Sequence, residues 1–162
     1  MSFTKRNEAG IKFEKQLIED YDVIRNEEYV DQFGFDHPDL KYPSGPHINR
    51  WRELYPDLYF KKKNIFLECK SKKKSKTWFK FKLKDLKRYK TFRDYYEVDV
   101  WVGFKMGKDK YYTQFTDEFI EFVESHYHEQ NKELLRKEDY SEYYEVEIPR
   151  YGNFITEEEL FT

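Results

Sequence analysis

Three ionisable residues gather in the middle of the chain. Asp57 and Glu68 are separated by ten residues, and Lys70 follows Glu68 at the second position. Asp57 to Phe60 and Ile65 to Lys70 read as strands, and Lys61-Lys62-Lys63-Asn64 is a polar turn, so the segment reads as a hairpin. If Lys62-Lys63 form a two-residue turn, Asp57 lies opposite Glu68. If Lys63-Asn64 form it, Asp57 lies opposite Lys70. Strand side chains alternate, so either register places Asp57 on one face with Glu68 and Lys70. Directly opposed Cβ atoms are about 4.5–5.5 Å apart, a separation at which two carboxylates can share one cation. Two such acids repel unless positive charge intervenes; Lys70 or a metal would supply it. Hard oxygen ligands in small number favour Mg²⁺ with water completing the shell. On the other face Ile65, Leu67 and Cys69 form an apolar row, which makes Cys69 a small core residue. The bland reading of the same hairpin is an exposed strand face with an incidental salt bridge.

A third acid stands apart. Residues 5–20 have helical periodicity, with Ala9, Phe13, Leu17, Gly10, Tyr21, Ile18 and Ile11 on one arc. Glu14 falls inside that arc, where a carboxylate needs a partner or a metal to offset its desolvation. Glu8 and Glu19 lie on the polar side.

The elements that would hold these residues follow from pattern. Val23-Ile24 begins a strand. Residues 31–55 are irregular, with Gly34, Pro38, Pro43, Gly45 and Pro46 as breakers, and a connection of that length is usually functional or mobile. Pro38-Asp39 is a rival first acid, but Pro43 follows too closely for a good strand. Phe79, Phe81 and Leu83 alternate with Lys80 and Lys82. Leu86, Tyr89, Phe92 and Tyr96 have helical spacing. Val98, Val100, Val102 and Phe104 alternate again, and Tyr111 to Phe115 is a further strand. Thr116 caps a helix striped by Phe119, Ile120, Val123 and Tyr127. This order implies a mixed sheet flanked by helices. The expected division is a domain over residues 1–128 and an acidic C-terminal extension, 129–162, packed on it or trailing from it.

Only 38% of the 162 residues are hydrophobic, so the core leans on 15 Tyr, 15 Phe and 3 Trp. No apolar run is long enough to span a membrane, and the N-terminus lacks a signal-peptide stretch. A single cysteine excludes an internal disulfide and fits a reducing cytosol. The net charge of −2 conceals an asymmetry: residues 61–90 hold 14 Lys/Arg against two acids, +12 in a chain otherwise at −14. A concentrated basic segment suits a nucleic-acid partner more than overall neutrality would suggest. Residues 117–162 carry 14 acids and four bases. His37, His47, His126 and His128 lack metal-ligand spacing and read as structural or surface residues.

Pro56-Asp57, ten residues, then Glu68-Cys69-Lys70 resembles the signature of the PD-(D/E)XK nucleases. Gly10-Ile11-Lys12-Phe13-Glu14 resembles their first helix, and the element order is similar over roughly residues 5–125. Within that superfamily the chain looks most like archaeal-type Holliday junction resolvases and small phage nucleases. The resemblance implies a restriction-endonuclease-like α/β fold with an αβββαβ core and a central mixed sheet. It implies Mg²⁺- or Mn²⁺-dependent hydrolysis of phosphodiester bonds in DNA, branched DNA included. Asp57, Glu68, the Cys69 backbone carbonyl and Glu14 would bind metal or its water, and Lys70 would orient the attacking water. Lys72, Lys73, Lys74, Lys76, Lys80, Lys82 and Lys87 would meet phosphates. A possible homodimer and a viral or mobile-element origin go with the resemblance, although no dimer face is marked, and the cysteine usage gives the expectation of a cytoplasmic location. Many relatives carry a glutamine or lysine in the helix after the signature; here only Lys87 is a candidate. The 31–55 insert is longer than in the smallest resolvases. The competing expectation is a catalytically silent nuclease-like fold that binds nucleic acid or inhibits a protein.

Overall fold

The structure, a computed structural model, describes residues 3–26, 28–29, 55–72, 77–129 and 143–162. The elements are α1 (Phe3–Asp20), β1 (Val23–Arg25), β2 (Leu58–Phe60), β3 (Ile65–Lys72), β4 (Trp78–Lys82) and α2 (Leu83–Tyr96). They continue with β5 (Asp99–Met106), β6 (Asp109–Gln114), α3 (Asp117–Glu129), β7 (Tyr143–Glu147) and α4 (Glu157–Phe161). Five strands form one mixed sheet in the order β1-β2-β3-β5-β6, and β4 pairs with β7 in a separate two-stranded sheet. Strand β3 is antiparallel to β2 and parallel to β5. A parallel neighbour needs a crossover, and β4 with α2 provides it.

Strand alternation divides the core between the two faces of the large sheet. Phe13 and Leu17 of α1 pack with Leu58, Phe60, Ile65 and Leu67 on one face. Leu160 and Phe161 of α4 join that cluster. On the opposite face Phe66, Val100, Val102 and Phe104 meet Phe79 and Phe81 of β4, Leu86, Tyr89 and Phe92 of α2, and Phe119 of α3. Edge-on rings fill this side, for example Phe66 against Phe92 with centroids 4.8 Å apart and Phe79 against Phe104 at 5.0 Å. Aromatic quadrupoles favour such edge-to-face contacts, which is how a chain poor in aliphatic residues closes its core.

Local signals set the element ends. The hairpin turns through a short 3₁₀ stretch, Lys61–Lys63, closed by Asn64 in the left-handed region (φ 52°), a conformation asparagine tolerates. The Thr116 hydroxyl accepts from the Phe119 N–H at 3.1 Å and starts α3. Thr156 and Glu159 form a reciprocal capping box on α4.

Three details differ from the sequence pattern. Leu83, read as the end of an alternating strand, opens α2. Ile11, placed on the apolar arc of α1, is 40% exposed, because the buried stripe narrows to Phe13 and Leu17. The final segment, unreadable by periodicity, contributes β7 and α4 to the packing. Residues 31–54, with Pro38-Asp39, His37 and His47, lie outside the described residues, as do Lys73, Lys74 and Lys76. Among the described residues no helix is long and apolar enough to cross a membrane.

Candidate active site

The hairpin register pairs Leu58 with Leu67, Tyr59 with Phe66 and Phe60 with Ile65. Continued by one residue, it sets Asp57 opposite Glu68, the arrangement that a turn at Lys62-Lys63 would give. It stops there for a chemical reason. The next position is Pro56, which has no N–H to give a ladder. Where β2 ends, the Asp57 carboxylate takes its place: Oδ2 accepts from the Cys69 backbone N–H at 2.8 Å. The Asp57 carbonyl oxygen in turn accepts from the Asn26 N–H at 2.9 Å. The buried Tyr29 hydroxyl donates to the Pro56 carbonyl at 2.6 Å. Residues 56 and 57 are thus held from both sides.

Asp57, Glu68 and Lys70 share the sheet face that carries Phe66. Glu68 is buried, and its pKa stands well above the ordinary glutamate value. Burial is the largest cause, followed by the charge of Asp57 and a hydrogen bond shared with it; Lys70 pulls in the opposite direction. By the hairpin register the half-buried Asp57 thus stands beside the buried Glu68 where β2 ends. Neighbouring charge is also felt beneath them. The Tyr29 phenol is raised by burial and then by Asp57 and Glu68. The Cys69 thiol is raised by burial, then by Asp57, Glu14 and Glu68.

Lys70 is half-buried, and its ammonium leans onto β4. Its Nζ lies 3.3 Å from the Lys80 carbonyl oxygen and 4.8 Å from the centroid of the Phe81 ring. A cation over an aromatic face is attracted by the ring quadrupole, so β4 serves as the seat of this lysine. Lys80 itself faces Glu145 across the β4–β7 ladder, and opposite charges attract there. Lys72 is exposed at the end of β3, and Lys87 is exposed on α2.

Glu14 arrives from elsewhere. Helix α1 packs on the Ile65, Leu67 and Cys69 face, so Glu14 belongs to the layer opposite Glu68 and Lys70. It is half-buried on the helix that packs against β3, and its charge helps raise the Cys69 thiol pKa. Among the described residues no group of three or more His, Cys, Asp or Glu side chains could hold a metal ion alone. What the fold brings together is a pair of acids. Two carboxyl groups pressed together, with one ionising reluctantly, suit a divalent cation whose remaining ligands are backbone oxygen and water.

No family model matches the chain, and no curated protein sequence does. Solved structures do match. The fold resembles that of Hjc. Hjc is a Holliday junction resolvase from an archaeal hyperthermophile, Archaeoglobus fulgidus. The TM-score is 0.51 at 11% sequence identity, and the match covers 94% of this chain and all of the Hjc chain. The likeness to Hjc is one of fold: a mixed central sheet with helices on its faces.

Two residues beside the site escape a reading of the sequence. Asn26 and Tyr29 lie just after β1 and touch residues 56 and 57 across the long insert. Periodicity carries no signal for a single hydroxyl that reaches a carbonyl 27 positions away.

Proposed function

We propose that this chain is a metal-dependent endonuclease that hydrolyses phosphodiester bonds in DNA, with branched DNA such as a four-way junction among its substrates. The observation that carries the reading is the contact between Asp57 and Glu68 at the edge where β2 stops, on the same face as Lys70. The likeness of fold to a Holliday junction resolvase agrees with it.

Asp57, Glu68 and the Cys69 backbone carbonyl would hold the cation, Mg²⁺ or Mn²⁺. In a strand the N–H and C=O of one residue face the same neighbour. The Cys69 carbonyl therefore faces the same open edge as the N–H that Asp57 accepts. A bound divalent cation supplies Lewis acidity toward a phosphoryl oxygen and lowers the pKa of its water. The protein's own groups do the rest. Asp57 and Glu68 concentrate negative charge at a dry, preformed position. Lys70 sets an ammonium near them, where it orients the attacking water and stabilises charge that develops on phosphorus oxygens. Glu14 would hold water from the α1 side. The exposed Lys72, with Lys73, Lys74, Lys76, Lys80, Lys82 and Lys87, would neutralise backbone phosphates without reading sequence.

The test is cleavage of supercoiled, linear and four-way-junction DNA, and of RNA, with Mg²⁺, Mn²⁺ or EDTA. Metal-dependent cutting of DNA that is lost in EDTA is expected, and the Glu14→Leu protein should cut much more slowly. No cutting of any substrate with either metal would overturn the reading.

A further inference from the structure

Asp57 occupies an unusual position for a strand residue. Its side chain, not its backbone, accepts the Cys69 N–H of β3. Had the ladder run on, Pro56 would stand opposite Cys69 by the register of the three preceding pairs. The Pro56 carbonyl would then be the natural acceptor for the Cys69 N–H. It is turned away, toward the Tyr29 hydroxyl at 2.6 Å, and the Cys69 N–H goes to Asp57 Oδ2 at 2.8 Å.

We infer that Tyr29 is a positioning residue: by holding the Pro56 carbonyl out of the ladder, its hydroxyl leaves the Cys69 N–H to the Asp57 carboxylate and so fixes that carboxylate beside Glu68. Three further observations support this. Tyr29 is fully buried, so water does not compete for its hydroxyl. Its ring is wedged edge-on against Tyr55 at 6.4 Å and Phe66 at 5.3 Å, and tilted against Tyr59 at 5.9 Å, so the hydroxyl has little freedom to leave. The Asn26 N–H holds the Asp57 carbonyl from the same side of the site at 2.9 Å, which leaves the side chain as the part of Asp57 still to be placed. Groups that orient a metal-binding carboxylate commonly matter ten- to a hundredfold in affinity or rate. The role of Asp57 as a ligand rests on the proposed function, but the exchange of hydrogen-bond acceptors does not.

Tyr29→Phe removes one oxygen and keeps the ring. Tyr59→Phe is the control, because Tyr59 belongs to the same ring cluster but donates to Asn64 Oδ1 at 2.9 Å. The first measurement is the through-hydrogen-bond ¹⁵N–¹³C coupling from the Cys69 amide in metal-free protein. The wild type and Tyr59→Phe should couple to the Asp57 side-chain carboxyl carbon. Tyr29→Phe should lose that coupling, and a coupling to the Pro56 carbonyl should replace it. The second measurement is Mn²⁺ affinity by calorimetry, with kcat and KM. Tyr29→Phe should bind Mn²⁺ about tenfold more weakly or worse, with kcat lowered and KM for DNA unchanged. A wild type without the Cys69–Asp57 coupling, or a Tyr29→Phe protein that retains it, overturns the inference. If the wild type binds no Mn²⁺ and cuts nothing, the nuclease reading fails, and the couplings still decide whether Tyr29 places Asp57.

Discussion

The two edges of β3 are treated very differently. Toward β5 every residue from Ile65 to Lys72 has a partner, from Asp99 to Met106. Toward β2 only Ile65, Phe66 and Leu67 are paired. The closed edge builds the core, with Gly103 fitted against the Tyr112 ring and Val102 and Phe104 buried beneath α2 and β4. The open edge leaves the backbone of Cys69 to a side chain and draws the acids there. Among the described residues, a partner strand that stops early thus leaves backbone at a rigid position to be met by a side chain, which is what a site needs and a core avoids.

The comparison can be broken first at the open edge. Asp57→Ala or Glu68→Ala should reduce metal-dependent DNA cleavage by roughly a thousandfold or more, as expected when a cation that stabilises transition-state charge is removed. Thermal melts of Glu68→Ala should show no loss of stability, because removing one of two crowded acids relieves their repulsion, whereas Asp57→Ala should melt lower, because it also leaves the Cys69 N–H without its acceptor. A mutant that cuts normally would separate the acid pair from the chemistry.

The closed edge should behave in the opposite way. A Cβ on Gly103 would lie 2.7 Å from one carbon of the Tyr112 ring and 3.0 Å from another. That ring cannot simply swing aside, since it is buried and its hydroxyl is tied to Glu157 at 2.6 Å. Gly103→Ala should therefore lower stability by about 1–3 kcal/mol, the usual range for overpacking, while Mn²⁺ affinity falls far less than in Asp57→Ala, since Gly103 itself supplies no ligand although it pairs with Cys69 in the ladder. Urea titration and calorimetry check the two halves.

The acid pair also gives a pH signature. Folding raises the Glu68 pKa, so the native state holds a proton that the unfolded chain releases. The stability this contributes is complete below the ordinary glutamate value of about 4.3. It is lost as pH rises through the raised pKa. Subtracting Glu68→Gln stability from wild-type stability in metal-free urea melts should give a difference that falls with pH across that window. A flat difference would mean that Glu68 is neither buried nor pressed against Asp57 in solution. Because the cation needs the ionised carboxylate, Mn²⁺ affinity should rise over the same window.

The smallest effect belongs to the lysines beyond the open edge. Neutralising Lys72, Lys73, Lys74 and Lys76 together should weaken DNA binding at low salt. The log–log salt slope should fall by about 0.9 for each phosphate that is no longer neutralised. An unchanged slope would make the run a solvated surface.

How much of this was legible in the sequence differs by region. Counting narrows the hairpin register to two, with Asp57 opposite Glu68 or opposite Lys70, and the fold takes the first. Alternation in Val100, Val102 and Phe104 and the helical spacing of Leu86, Tyr89 and Phe92 reveal β5 and α2 for the same reason. The segment Tyr143–Glu147 does not declare itself, because its short alternation of Tyr144 and Val146 with Tyr143, Glu145 and Glu147 is embedded in acidic sequence, and Glu145 meets Lys80 only across the ladder. Their pairing is a tertiary fact. Thr156 and Glu159 do spell a capping box, a local signal that pattern reading passes over in so acidic a stretch. Glu14 shows the limit of helical phase. The arc correctly holds Phe13 and Leu17, yet it cannot say that α1 covers the face opposite Glu68.

The β4–β7 pair has a consequence in time. Among the described residues β4 has no strand partner except β7, and the ladder joins Trp78 to Glu147 and Lys82 to Tyr143. Pairings so distant in sequence are slow to form, and during synthesis the earlier strand leaves the ribosome well before the later one. The hairpin bearing Asp57, Glu68 and Lys70 can therefore form while β4, which seats the Lys70 ammonium, still waits for its partner. A nascent chain carries its acids early and gains a settled lysine only when translation has passed residue 147.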